Sequence, residues 1–178
     1  MNQTQASRLL TLANFLKSEV CAEEFDMDVF GRAVAEESEP EVKAEGISIG
    51  CNQLLQRKTI ECNTSACALG WATSVFPSQM CMRWNGDVDD LIERDRLDGT
   101  VQMKDDGVWQ DVFYDDDLVQ NFFGLTEAEC EDLFGPDDPG EYDDDTNEYI
   151  NIPPKTTPKQ KAKQIEKLCA SHGWVYSK

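Results

Sequence analysis

The stretch Ala66-Cys67-Ala68-Leu69-Gly70-Trp71-Ala72-Thr73-Ser74-Val75-Phe76 carries no charge, and its apolar residues fall on most sides of a helix. A helix of this kind has to be surrounded, so the rest of the chain must be arranged around it. Thr64 or Ser65 can cap it, and Pro77 stops it, because proline has no amide proton to continue the ladder. Ala66, Gly70 and Ser74 recur at every fourth residue and line one face with small side chains, where another backbone can come close.

Amphipathic pieces are available to cover it. Ala6, Leu9, Leu10, Ala13, Leu16 and Val20 recur at three- and four-residue steps and predict a helix over residues 4–20. Phe25, Met27 and Phe30 form an aromatic cluster at a turn, and residues 38–50 read as a polar loop. Val88, Leu91 and Ile92 mark a short acidic helix. Residues 100–104 and 108–113 flank Asp105-Asp106-Gly107, which is a hairpin signal. Two short helices follow: residues 116–123, ended by Gly124, and residues 126–134, opened by a Thr126-x-x-Glu129 capping box and ended by Gly135-Pro136. Residues 137–154 read as an exposed, flexible acidic loop. Thr157-Pro158 opens a basic helix with Ala162, Ile165, Leu168 and Cys169 inward, ended by Gly173 before Trp174, Val175 and Tyr176. The expected fold is α+β, a mainly α-helical single domain over residues 1–178 with a small antiparallel β-hairpin.

Charge bounds the partners. The chain has 35 Asp and Glu against 16 Lys and Arg, a formal net charge of -19. Residues 87–148 hold 23 acidic and three basic residues, whereas residues 155–178 hold six Lys and one Glu. Nucleic acid and anionic membrane are therefore poor partners. No apolar run is long enough for a bilayer and the N-terminus has no signal-peptide pattern, so the expected location is the cytoplasm. Seven Cys without an export signal read as reduced and mostly buried thiols.

Catalytic chemistry finds little support. The one histidine, His172, sits at a helix end and reads as a surface or capping residue, and no phosphate-binding glycine loop is present. Cys51, Cys62, Cys67 and Cys81 could form a four-thiolate zinc site, but they lack the tight knuckle spacing of zinc ribbons. Asp143-x-Asp145-x-Asn147 starts like a calcium loop, then places Glu148 where glycine is needed and Pro154 where a bidentate Glu is needed. No enzyme activity, cofactor or metal is expected.

Three segments together carry a resemblance: Phe25-Asp26-Met27, Cys62-Asn63-Thr64-Ser65-Ala66-Cys67-Ala68-Leu69-Gly70-Trp71-Ala72, and Phe123-Gly124-Leu125-Thr126-Glu127-Ala128-Glu129-Cys130-Glu131-Asp132-Leu133-Phe134. The chain resembles a group of small acidic proteins of tailed phages and prophages, whose central motif reads C-G-T-x-A-C-x-x-G-W-A. It departs from that pattern at Asn63 and in the order of Ala128 and Glu129. The resemblance implies a context of inhibitors of host defence or host enzymes, some of which imitate nucleic-acid charge.

The leading expectation is a non-enzymatic, phage-type accessory protein. Its acidic surface, with Asp87, Asp89, Asp90, Asp115, Asp116, Asp117, Asp143, Asp144 and Asp145 as contact residues, would bind a basic host protein such as a nucleic-acid-binding defence protein. The bland counterpart is that acidity serves solubility alone. A second expectation is a protein that sequesters a small molecule or signal nucleotide near Trp71 and Gly70, with Arg57, Lys58, Arg83, Arg94 or Arg96 holding an anion. A third is a zinc-binding interaction module on the four cysteines.

Overall fold

The computed structural model describes residues 1–28, 30–34, 63–84, 96–137, 141–143, 148–150 and 153–174 of the chain. The expected loop at 38–50, the helix around Val88, Leu91 and Ile92, and the tail beyond Trp174 lie outside the described residues.

Helix α1 (Gln3–Ser18) starts where Asn2 accepts the Gln5 amide and the Gln5 side chain returns to the Asn2 amide, a reciprocal cap the residue pattern had not suggested. Ala6, Leu9, Leu12, Ala13 and Leu16 are buried. Leu12 takes the inward place expected of Leu10, which is half-buried, because the apolar stripe is centred on the 9–13–16 line. This face packs on the C-terminal helix.

The apolar segment is preceded by two strands, β1 (Gly31–Val34) and β2 (Asn63–Ser65), and forms α2 (Ala68–Val75). The cap is Cys67, whose Sγ accepts the Gly70 amide at 3.4 Å, and not Thr64 or Ser65. Those two residues are committed to β2, where Thr64 faces Ala33 and Ser65 faces Arg32, so strand pairing overrides their capping preference. Phe76 is the C-cap, just before Pro77.

The small-residue face of α2 does admit a backbone. A Cβ on Gly70 would lie 1.7 Å from the Phe30 carbonyl oxygen and 2.9 Å from the Ala66 Cβ. Trp71, 6% exposed, donates its indole N–H to the Glu24 carbonyl at 3.0 Å. The 3-10 turn Ala22–Glu24 and the Phe25–Ala66 bridge thereby fasten residues 22–25 beside the start of α2.

The hairpin is part of a five-stranded antiparallel sheet. Strand β3 (Met80–Trp84) pairs with the long β4 (Arg96–Asp105), which turns through Asp106 and Gly107 into β5 (Val108–Asp111). Both turn residues have positive φ, 46° and 87°, the geometry that an Asp-Gly pair supplies in a two-residue hairpin. At Gly99, β4 faces both Gly31 and Trp84, and at Gln102 it faces both Cys81 and Asp111. Strands β1 and β5 therefore share one edge of β4 while β3 takes the other. Period-two alternation sends Met80, Met82, Val101 and Met103 into the core.

After β5 come α3 (Asp117–Phe123) and α4 (Glu127–Phe134). Gly124, at φ 69°, ends α3, and Thr126 and Glu129 form the expected capping box. Within the stretch expected as an acidic loop, β6 (Glu141–Asp143) pairs with β7 (Glu148–Ile150). Helix α5 (Pro158–Ser171) starts at a Thr157–Gln160 capping box, buries Ala162, Ile165 and Cys169, and lies along α1, where Lys17 pairs with Glu166. The fold class is α+β, and no helix among the described residues is long and apolar enough to cross a membrane.

Candidate interaction surface

Residues 104–111 are all exposed, so the outer half of the β4–β5 hairpin stands clear of the core. The chain re-enters at Val112, which is buried and donates its amide to the Val101 carbonyl at 2.9 Å. With a period of two, the Val108 and Gln110 amides face β4, while those of Trp109 and Asp111 face away. Among the described strands, β5 is paired with β4 alone.

Among the described residues, the large apolar side chains left exposed are Val108 (62%), Trp109 (36%) and Phe113 (58%). Scattered exposed apolar residues need no explanation, but these three fall within one hairpin and its exit turn. Lys104 lies 5.9 Å over the Trp109 ring, and Phe113 meets Phe30 with ring centroids 5.9 Å apart. Beneath Phe113, a groove of about 190 Å³ is lined by Met27, Asp28, Phe30, Phe113, Tyr114, Phe134 and Pro136.

Carboxylates surround this surface. Asp115 and Asp117 are exposed. Asp116 has a structural use: its Oδ2 accepts the Phe113 amide at 2.5 Å and closes the turn into α3. Asp111 is held by Arg83 at 2.6 Å and by Gln102 at 2.7 Å. Asp28 and Asp26 share Lys155, each at 3.3 Å. Burial works against the Lys155 charge, but the two carboxylates outweigh it and raise the lysine above its ordinary value. Asp143 lies on β6 opposite Glu148, and Asp87, Asp89, Asp90, Asp144 and Asp145 are outside the described residues.

Cys67, Cys130 and Cys169 belong to the buried core, and His172 stands at a helix end. Burial pushes the Cys67 thiol up to about 11 and, with Glu129 and Asp115 nearby, the Cys130 thiol up to about 12; Cys169 rises to about 11. Such groups stay protonated at neutral pH and are poor nucleophiles. Cys81 is also buried, and Cys21 is exposed. Cys51 and Cys62 lie outside the described residues, and among those described no three His, Cys, Asp or Glu side chains gather as metal ligands. His172 caps α5 and sits 2.7 Å from Glu129, fastening the end of α5 to the start of α4.

Around Trp71 and Gly70, the face considered for a small ligand is filled by the Phe30 carbonyl and the Glu24 contact. Of the cations considered for an anion, Arg83 is paired with Asp111, and Arg57, Lys58 and Arg94 are outside the described residues. A wider hollow of about 380 Å³ runs along α1 beside Phe76, but its cation, Arg8, is tied to the Phe122 carbonyl at 2.7 Å and to the Phe122 ring.

Residue patterns did not single out Lys161, which is 4% exposed. Its ammonium donates to the Asp132 carbonyl at 3.0 Å, one of the last carbonyls of α4 that lack an intrahelical partner. Burial lowers its pKa, against the opposing pull of Asp137, Asp132 and Cys67. The exposure of Val108, Trp109 and Phe113 was missed as well. For Val108 and Trp109 a usable signal was their position at the far end of an Asp-Gly hairpin; Phe113, in the exit turn beside Phe30, had none. Comparison with protein-family models, with curated proteins and with solved structures yields no match.

Proposed function

We propose that the chain is a non-enzymatic interaction protein that engages a basic partner through the β4–β5 hairpin and the turn into α3. The observation that supports this reading is the exposure of Val108, Trp109 and Phe113 in the same stretch as the exposed carboxylates Asp115 and Asp117. Solubility accounts for spread surface charge but not for three exposed large apolar side chains within residues 108–113, with Val108 and Trp109 on opposite faces of the hairpin. A net charge of -19 steers a positively charged partner toward the protein, and the apolar residues supply contact area that charge alone does not. The motif resemblance to phage and prophage proteins makes a basic, nucleic-acid-binding host defence protein the partner class to test first, with the chain acting as an inhibitor that imitates nucleic-acid charge.

Capture of host proteins on the tagged chain at low and high salt tests the reading. A basic protein should be retained at low salt, released as salt rises, and lost from the Asp115→Asn/Asp117→Asn variant. Both carboxylates are exposed and, among the described residues, form no side-chain hydrogen bond or ion pair, so the variant should melt close to the parent, less the small helix-end contribution of Asp117. A partner held equally by parent and variant at high salt would refute the electrostatic reading.

A further inference from the structure

We propose that the groove beneath Phe113 receives one apolar side chain from a basic segment of the partner, with Lys or Arg on either side of that anchor. The proposal rests on the basic-partner reading above and names the anchor point within it.

The groove's size selects the occupant. At about 190 Å³ it is smaller than the roughly 300 to 1,000 Å³ of sites that enclose a small molecule. One Leu, Met or Phe side chain suits it, and its walls are themselves apolar: Met27, Phe30, Phe113, Tyr114, Phe134 and Pro136. A pocket for a single anchor, surrounded by polar contacts, is the arrangement in which few residues supply most of the affinity.

The rim selects the charge of the flanks. Asp28 lines the groove, but its carboxylate is already paired with the Lys155 ammonium at 3.3 Å, so the charge that selects a basic flank has to come from the neighbouring exposed carboxylates. Those are Asp115 and Asp117, which directly follow the groove-lining Tyr114 in sequence and are exposed. A second copy of this chain would bring the same net charge of -19, which opposes its docking here.

The test uses the full chain and labelled peptides of Lys and Arg around one central Phe, with a matched peptide carrying Ala at the centre, read by fluorescence anisotropy at low salt. The Phe peptide should bind about tenfold more tightly than the Ala peptide. Phe113→Ala should abolish that preference while keeping the affinity for the Ala peptide. Chemical shifts of Phe30, Phe113 and Pro136 should move only with the Phe peptide. Equal binding of the two peptides by the parent, or a preference that survives Phe113→Ala without shifts at the groove, overturns the proposal and leaves the basic-partner reading standing. Failure of both peptides to bind overturns that reading and the proposal with it. A concentration-dependent dimer dispersed by Phe113→Ala would make a second copy the occupant and overturn the proposal too.

Discussion

Adding one methyl group at Gly70 sets two physical effects against each other. Gly70 lies within a regular helix, where alanine is preferred over glycine by about 1 kcal/mol, so helix propensity alone predicts a more stable protein. The tertiary structure predicts the reverse. The new Cβ would stand 1.7 Å from the Phe30 carbonyl oxygen and 2.9 Å from its carbon. These are backbone atoms and cannot rotate away. Phe30 also leads directly into β1, which is pinned by β2 on one edge and β4 on the other, so relief requires moving a central strand. Overpacking of this kind costs about 1 to 3 kcal/mol or more, and a rigid backbone neighbour places the case at the upper end. The net loss in Gly70→Ala should be about 2 kcal/mol, or a fall in Tm of about 4 to 8 °C at this chain length. Ser74→Ala on the same helix is the control. Among the described residues its buried hydroxyl has no hydrogen-bond partner, so alanine should be neutral or stabilising by about 1 kcal/mol. Thermal and urea melts followed by circular dichroism read both variants. A Gly70→Ala protein that melts at or above the parent would refute the close approach of Phe30 to α2.

Two further outcomes follow from buried and paired charges. Lys161→Met keeps most of the side-chain volume but removes the donor to the Asp132 carbonyl, and should cost about 1 to 3 kcal/mol in urea melts, whereas unchanged stability would show that the α4 end needs no such cap. Burial opposes the Glu129 charge, but the Thr126 amide and hydroxyl and His172 outweigh it and hold the carboxyl below its usual 4.5. A carboxylate depressed on folding stabilises the protein above its unfolded pKa and loses that contribution as pH falls through the folded value. Glu129→Gln should therefore be less stable than the parent at neutral pH, with the gap closing once the pH drops below about 4.5. A gap constant from neutral pH down to pH 3 would refute this role.

Much of the fold could be read from residues whose physics is local. The Asp105-Asp106-Gly107 turn, the Thr126–Glu129 box and the αL glycine at 124 act through neighbours a few residues away, and each stands where the pattern put it. The α1 stripe was legible in part, since Ala6, Leu9, Ala13 and Leu16 are inward while Leu12 replaces Leu10, and so was the small face of α2, since Gly70 and Ser74 lie on that helix while Ala66 sits in a bridge before it. Thr64 and Ser65 show the limit: both are good caps by type, but pairing with β1, more than 30 residues earlier, decided their state. What filled the small face was also beyond local reach, since nothing at Gly70 says that the Phe30 carbonyl will rest there. The candidate site divides in the same way. Exposure of Asp115 and Asp117 follows from their charge, yet only the folded turn draws Asp116 back onto the Phe113 amide. Whether Val108 and Trp109 are buried depends on how far the hairpin extends past the helices, and the groove beside Phe113 exists because Met27, Asp28 and Phe30 meet Tyr114, Phe134 and Pro136. Such meetings are set by long-range packing of the whole chain, whereas turns, caps and stripes are set by the few residues that form them.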